Sequence, residues 1–227
     1  VEDGVRLGAR FFPWEPAEPH VIFFHGNGEI ASDYNDIGPI YNQHNLNLIV
    51  VDYRGYGHST GQPTASSLLS DARTVFCELK DWLESQDRTG SLIAMGRSLG
   101  SVPALEIGCC YPNDIDGLII DSGFARTVPL LNRLGVATDT LGITEMDGFA
   151  NFDKIREIDK PTLIIHGQED DMIPVEDAEL LLRNAGTSRK HLMLAPGCGH
   201  NDILLRCEKA YFETIGHFVD MLKRIKQ

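Results

Sequence analysis

The run SLIAMGRSLGSVPALEIG, residues 91–108, decides how this chain is read. Its first six residues form a short apolar stretch suited to a buried strand, and the residues from Ser101 onward are compatible with a helix. Between the two lies Gly96-Arg97-Ser98-Leu99-Gly100, a GxSxG pentad. A serine on a sharp strand-to-helix turn is pushed out of the backbone, while flanking glycines remove Cβ atoms that would clash. Ser98 is therefore expected to present its hydroxyl to a substrate from a nucleophile elbow.

Outward from the pentad, further apolar runs have the same character: VIFF (21–24), NLIVVDY (47–53), GLIID (117–121), PTLIIHG (161–167) and HLML (191–194). Short, near-continuous runs rich in β-branched residues are how strands buried on both faces of a parallel sheet read. Helix-period segments alternate with them. Residues 67–85 place Leu68, Ala72, Val75, Phe76, Leu79, Trp82 and Leu83 at helical spacing; residues 175–185 form a second helix with Gly186 as its cap; residues 202–225 form a long last one. VRLGARFFP (5–13) reads as an outer strand ended by Pro13. The alternation predicts a single α/β domain over residues 1–227, a mostly parallel central sheet with helices on both faces.

One stretch breaks the rhythm. Residues 125–159 are too long for an ordinary connection and carry Val128, Leu130, Leu131, Leu134, Val136, Leu141, Ile143, Met146 and Phe149. An apolar insertion after a strand's carboxyl end is expected to lie over the site as a small cap. The alternative is a crossover helix with a long loop.

With 227 residues, 42% of them hydrophobic, the chain can bury the core that one such domain needs. Its formal net charge of -13 would repel nucleic acid or an anionic membrane surface, so partners are expected to be small, neutral or cationic. The five cysteines, Cys77, Cys109, Cys110, Cys198 and Cys207, are odd in number and lack CxxC spacing. That argues against a disulfide framework or a metal site and for a reducing, cytoplasmic setting. No apolar run is long enough to span a membrane and nothing reads as a signal peptide. The first residue is Val1, already within a strand-like pattern, as it would be if an amino-terminal anchor or targeting segment had been removed.

A serine hydroxyl needs a base, and the base needs a group that fixes its tautomer. Of eight histidines, His200 lies in PGCGHND, a glycine-rich loop between the last strand and the final helix, where a ring has no packing duty. His191 at a strand start and His217 within a helix are expected to be structural or surface residues. His25 and His166 end strands before glycine turns, where they can tie down backbone. For the acid, HGQEDDMIP offers Glu169, Asp170 and Asp171 on the edge where open α/β sheets place their sites. Asp170 is selected on the order serine, acid, histidine, with Asp121 at the end of GLIID as the fallback. HGNG (25–28) follows the first parallel strand, and the amides of Asn27 and Leu99 are the expected oxyanion donors, with Gly28 in reserve. DYRGYGHSTG (52–61) lacks the Lys-Ser/Thr ending of a phosphate loop, which makes it a structural turn and Ser59 a decoy.

Taken in order, HGNG, DYRGYGHSTG, GRSLGS, HGQEDDMIP and PGCGHND resemble the α/β-hydrolase superfamily along essentially the whole chain. Within it the pattern is similar to compact, weakly capped serine hydrolases, including depalmitoylase-like and serine-aminopeptidase-like members. The resemblance implies catalytic roles for Ser98, Asp170 and His200, oxyanion roles for Asn27 and Leu99, and an eight-stranded sheet. The chain starts near what would be the second strand, so the outermost first strand is expected to be missing or shortened.

The expected activity is hydrolysis of carboxylic esters or thioesters through an acyl-enzyme, with a small-molecule acyl substrate and no metal or organic cofactor. The alternatives are a serine peptidase of short peptides and a non-catalytic protein that keeps the fold.

Overall fold

In a computed structural model, residue 1 and residues 4–226 are described, and they form one seven-stranded sheet in the order β1-β3-β2-β4-β5-β6-β7. The strands are β1 (Ala9–Phe12), β2 (His20–Phe24), β3 (Asn47–Val51), β4 (Leu92–Arg97), β5 (Gly117–Asp121), β6 (Thr162–Gly167) and β7 (Lys190–Ala195). Only β1 is antiparallel, Phe11 facing Ile49 on β3; the other six run parallel. The eight strands implied by resemblance are thus seven among the described residues, with the short antiparallel strand at one edge. The outer strand read over 5–13 shrinks to its last apolar part.

The apolar runs are continuous because each strand divides its side chains between two cores. Ile22, Phe24, Ile49, Val51, Leu118, Ile120 and Ile164 face one layer. Val21, Phe23, Leu48, Val50, Ile119, Leu163 and Ile165 face the other. Alternation of facing with apolar residues at the central positions of β2 to β6 leaves those strands no polar face, as expected between two helical layers.

The first layer holds α2 (Ala65–Ser85), α3 (Ser101–Cys110), α6 (Asn151–Glu157) and α7 (Val175–Asn184). Thr64 caps α2, its hydroxyl accepting the Ser67 amide at 3.0 Å. The opposite layer holds α1 (Gly38–Gln43) and α8 (Ile203–Lys226), which is kinked where Cys207 leaves helical geometry. The cysteines are free, and the sulfurs of Cys198 and Cys207 lie 3.3 Å apart at the base of the His200 loop.

Gly186 is not a left-handed cap. Its φ is not positive, and its amide donates to the Ile155 carbonyl at 3.0 Å. A Cβ there would stand 2.3 Å from the Arg156 carbonyl oxygen, so the glycine serves close packing of α7's exit on α6.

The segment after β5 is neither a bare loop nor a full cover. It folds into α4 (Thr127–Arg133), α5 (Thr138–Leu141) and a short 3-10 turn, Glu145–Asp147, before α6. The Glu145 carboxylate accepts the amides of Thr127 and Val128 at 3.1 and 2.7 Å and closes the segment on itself. Of the nine apolar side chains expected over the serine, Leu130, Leu131, Leu134 and Phe149 line the cleft. Leu141 and Met146 are 65% and 96% exposed, since the 3-10 turn and α5 form the outer rim. α6 is the crossover helix, with Ile155 in the main core.

Candidate active site

Parallel strands deliver their loops to one edge, and the loops after β2, β4, β6 and β7 converge there. At the end of β4 the chain turns so tightly that Ser98 takes φ +52, a left-handed conformation rare for a residue with a Cβ. The flanking glycines are required by contact. A Cβ on Gly96 would lie 1.9 Å from the Gly100 carbonyl oxygen, and one on Gly100 would lie 1.9 Å from that of Phe24. Ser101 Oγ donates to the Ser98 carbonyl at 2.7 Å, holding the elbow against the start of α3.

His200 Nε2 stands 2.9 Å from Ser98 Oγ, and its Nδ1 stands 2.7 Å from Asp170 Oδ2. A carboxylate only accepts, so Nδ1 carries the hydrogen, and in the neutral ring Nε2 is left as the acceptor for the serine hydroxyl. Asp170 Oδ1 accepts the amides of Met172 and Ile173 at 3.0 and 2.8 Å. Burial pushes the Asp170 carboxyl up, but hydrogen bonds from His200 and the Ile173 amide, with His200 and His166 nearby, outweigh it and hold the pKa below the usual aspartate value. All three side chains are buried.

The remaining candidates have other partners. Asp171 and Glu169 are exposed. Asp121 accepts hydroxyls from Ser122 at 2.9 Å and Tyr211 at 3.0 Å, and lines a cavity of about 280 Å³ with Tyr34, Tyr41, Arg97, His200 and Tyr211. His166 Nε2 donates to the Ile173 carbonyl at 2.8 Å, and His25 Nδ1 lies 2.9 Å from the Gly26 carbonyl, so both rings brace site loops. His191 and His217 are exposed. Ser59 accepts the Gly8 amide and donates to the Asp52 carbonyl within the turn after β3.

Asn27 and Leu99 flank Ser98 in one cleft of about 430 Å³, with Arg97, Phe124, Thr127, Leu130, Leu131, Leu134, Phe149, Met172, Ile173, His200 and Asn201 completing its wall. Tyr56 donates to Asn27 Oδ1 at 2.6 Å, which fixes the loop after β2. Gly28, at φ +81 in open space, allows the reversal that follows. Arg97, Phe124 and Met172 were not singled out by sequence. Arg97 sits at the unspecified position of the pentad, Phe124 follows a strand whose loop carries no pattern, and Met172 lies in HGQEDDMIP, where the carboxylates carry the signal.

A family model described as "Serine aminopeptidase, S33" matches residues 15–141. Alpha/beta hydrolase domain-containing protein 17B of Homo sapiens is 32% identical over 226 residues, covering 95% of this chain and 72% of that protein. Alpha/beta hydrolase domain-containing protein aho-3 of Caenorhabditis elegans is 32% identical over 206 residues, 88% of this chain and 57% of that protein. Among solved structures, a soluble variant of monoglyceride lipase from Saccharomyces cerevisiae superposes with a TM-score of 0.79 at 18% identity, over 98% of this chain and 93% of that one. An esterase from Pyrococcus furiosus gives 0.76 at 18% identity, over 97% and 89%. At these identities the two structures speak to the fold.

Proposed function

The chain belongs to the serine aminopeptidase S33 family of α/β hydrolases, and on that premise we propose that it cleaves carboxylic esters or thioesters through an acyl-enzyme on Ser98. The observation that carries this reading is the Ser98–His200–Asp170 hydrogen-bond relay at the floor of a cleft whose walls are mostly apolar. His200 takes the serine proton as Oγ bonds to the carbonyl carbon; Asp170 holds the ring in its tautomer and stabilises the imidazolium. The oxyanion is assigned to the amides of Asn27 and Leu99. As the tetrahedral species collapses, the carbon–oxygen or carbon–sulfur bond breaks and the leaving group takes the proton from His200. Water, activated by the same ring, then releases the acid and restores the serine.

A second reading, cleavage of short peptides, is favoured by the description of the matched family. An aminopeptidase must meet a free ammonium group, and among the described residues the cleft is lined by no carboxylate, its charged side chain being Arg97. The lining therefore favours an uncharged acyl group. The same reading has the chain acting on small molecules in the cytoplasm. No helix among the described residues is long and apolar enough to cross a membrane.

The test is direct. A fluorophosphonate probe is expected to label Ser98 covalently, and Ser98→Ala is expected to abolish labelling while keeping the fold. It is also expected to lower ester hydrolysis by about 10⁴-fold or more. Wild-type hydrolysis in that variant would remove Ser98 from the reaction. Faster turnover of aminoacyl amides than of acyl esters and thioesters would favour the peptidase reading.

A further inference from the structure

Three loops must meet at the serine, and the sheet does not set their mutual position. The loop carrying Asn27 leaves β2 and the loop carrying His200 leaves β7, with β4, β5 and β6 between those strands. A side chain from the middle spans the gap. Arg97, the last residue of β4, directs Nη1 to Oε1 of Glu29. Its Nη2 donates to the backbone oxygen of His200 and to Asn201 Oδ1, each at 2.9 Å. The second carboxylate oxygen of Glu29 accepts the Gly26 amide at 2.9 Å and the Tyr34 hydroxyl at 2.7 Å. One continuous set of contacts therefore runs from the loop of Asn27, through Glu29 and Arg97, to the backbone of the residue bearing the imidazole.

Gly26 shows how closely this pair is seated. It is not one of the glycines with positive φ, so its backbone does not demand glycine. A Cβ there would lie 2.9 Å from Arg97 Nη1 and 3.0 Å from Glu29 Oε1, so the ion pair rests against the Cα of the loop. The pair is also largely withdrawn from water, at 17% and 25% side-chain exposure. A long, mobile surface pair would constrain little. This one is short-reached, shielded and fork-shaped, with separate nitrogens for the two loops.

Resting on the acyl-transfer reading, we infer that Arg97 and Glu29 are positioning residues, a clamp that holds the Asn27 loop and the His200 loop in register with Ser98. Neither needs to touch the reacting atoms. Their effect is on the distance between the nucleophile, its base and the amides that receive the oxyanion, where a displacement of about 1 Å costs about 100-fold in rate.

The experiment uses the full chain and three variants, Arg97→Met, Glu29→Gln and Gly26→Ala. Each is read by the rate of Ser98 labelling with a fluorophosphonate, by kcat and KM for a nitrophenyl ester, and by affinity for a trifluoromethyl ketone that forms a tetrahedral adduct with the serine. The clamp predicts that labelling rate, kcat and adduct affinity fall together by about 10- to 100-fold while KM changes little. Arg97→Met combined with Glu29→Gln should be no worse than Arg97→Met alone, because either change opens the same clamp. Arg97→Lys should restore only part of the loss, since one ammonium cannot serve both loops. Should Arg97→Met not fold, Glu29→Gln keeps the side-chain shape while removing the charge and one of the two acceptor oxygens. Unchanged kcat and adduct affinity in folded variants, with only a lower urea midpoint, would make the pair a structural brace and overturn the inference. Absence of Ser98 labelling in the wild type would overturn the acyl-transfer reading and the clamp with it.

Discussion

The backbone amide of Ile173 donates a 2.8 Å hydrogen bond to Oδ1 of Asp170, fixing the carboxylate from the side away from His200. The turn after β6 therefore aims one carboxylate and leaves the next in solvent. Asp170→Asn is expected to lower kcat by about 10³- to 10⁴-fold, because an amide can donate toward Nδ1 and favour the wrong tautomer. Asp171→Asn, at an exposed neighbour, is expected to stay near wild-type turnover. Steady-state kinetics on the two folded variants decides the point, and the reverse ranking would move the acid to Asp171.

Asp121 and Asp170 should titrate with opposite signs. Burial raises the Asp121 carboxyl above its ordinary value, against the opposing influence of Arg97, Ser122 and Tyr211. A raised folded-state pKa gives stability that is complete below the unfolded value, about 3.8, and is lost as pH rises through the folded one. Asp121→Asn cannot titrate, so relative to wild type it should gain stability as pH rises from about 4 to about 7. Asp170 has a lowered pKa, so wild type should lead Asp170→Asn above about 3.8 and lose that lead as pH falls through the folded value. Urea midpoints from about pH 2 to about pH 7 test both, Asp170 at the acid end and Asp121 above it. Equal slopes for the two variants would contradict the opposite shifts.

The pentad's glycines make a separate prediction about folding. Gly96→Ala and Gly100→Ala each place a methyl 1.9 Å from a backbone oxygen at the crossing of β4, α3 and the end of β2. Backbone cannot yield there as a flexible side chain would, so each change should cost about 3 kcal/mol or more. Gly28→Ala meets nothing within 4 Å and carries only the strain of φ +81, about 1 kcal/mol. Thermal melts should show two severe variants and one mild one. Comparable melting of all three would mean that the elbow relaxes.

The extent to which this arrangement is legible in sequence follows from the range of each interaction. Ile22, Ile49 and Ile119 lie in runs whose composition already states burial on both faces, so the sheet is readable from local pattern. Ser98, His200 and Asp170 stand in turns whose position after a strand restricts them to one edge. The Arg97–Glu29 contact joins residues 68 apart, and neither has a local pattern to announce it. α1 is short and its burial depends on packing against the sheet, which leaves only Gly38 and Pro39 as signals. The segment after β5 misleads for the opposite reason. Leu141 and Met146 are as apolar as Leu130 and Leu131, and only the fold-back made by Glu145 decides which pair faces the serine.

That fold-back shapes the prediction on substrate. Leu130, Leu131, Leu134, Phe124, Phe149 and Met172 surround the space beside Ser98, and an acyl chain entering it would exchange water for hydrocarbon contact. Each buried methylene contributes about 0.8 kcal/mol, so two should raise kcat/KM by roughly tenfold. The volume of about 430 Å³ sets an end to the gain. Catalytic efficiency on soluble nitrophenyl esters should therefore climb from acetyl to medium chains and then level or fall. Leu131→Trp, which fills part of the cleft, should move the optimum to shorter chains while leaving acetyl turnover close to wild type. A flat or falling profile from acetyl onward would show that the cleft does not receive the acyl chain. An unshifted optimum in Leu131→Trp would place that chain elsewhere on the rim.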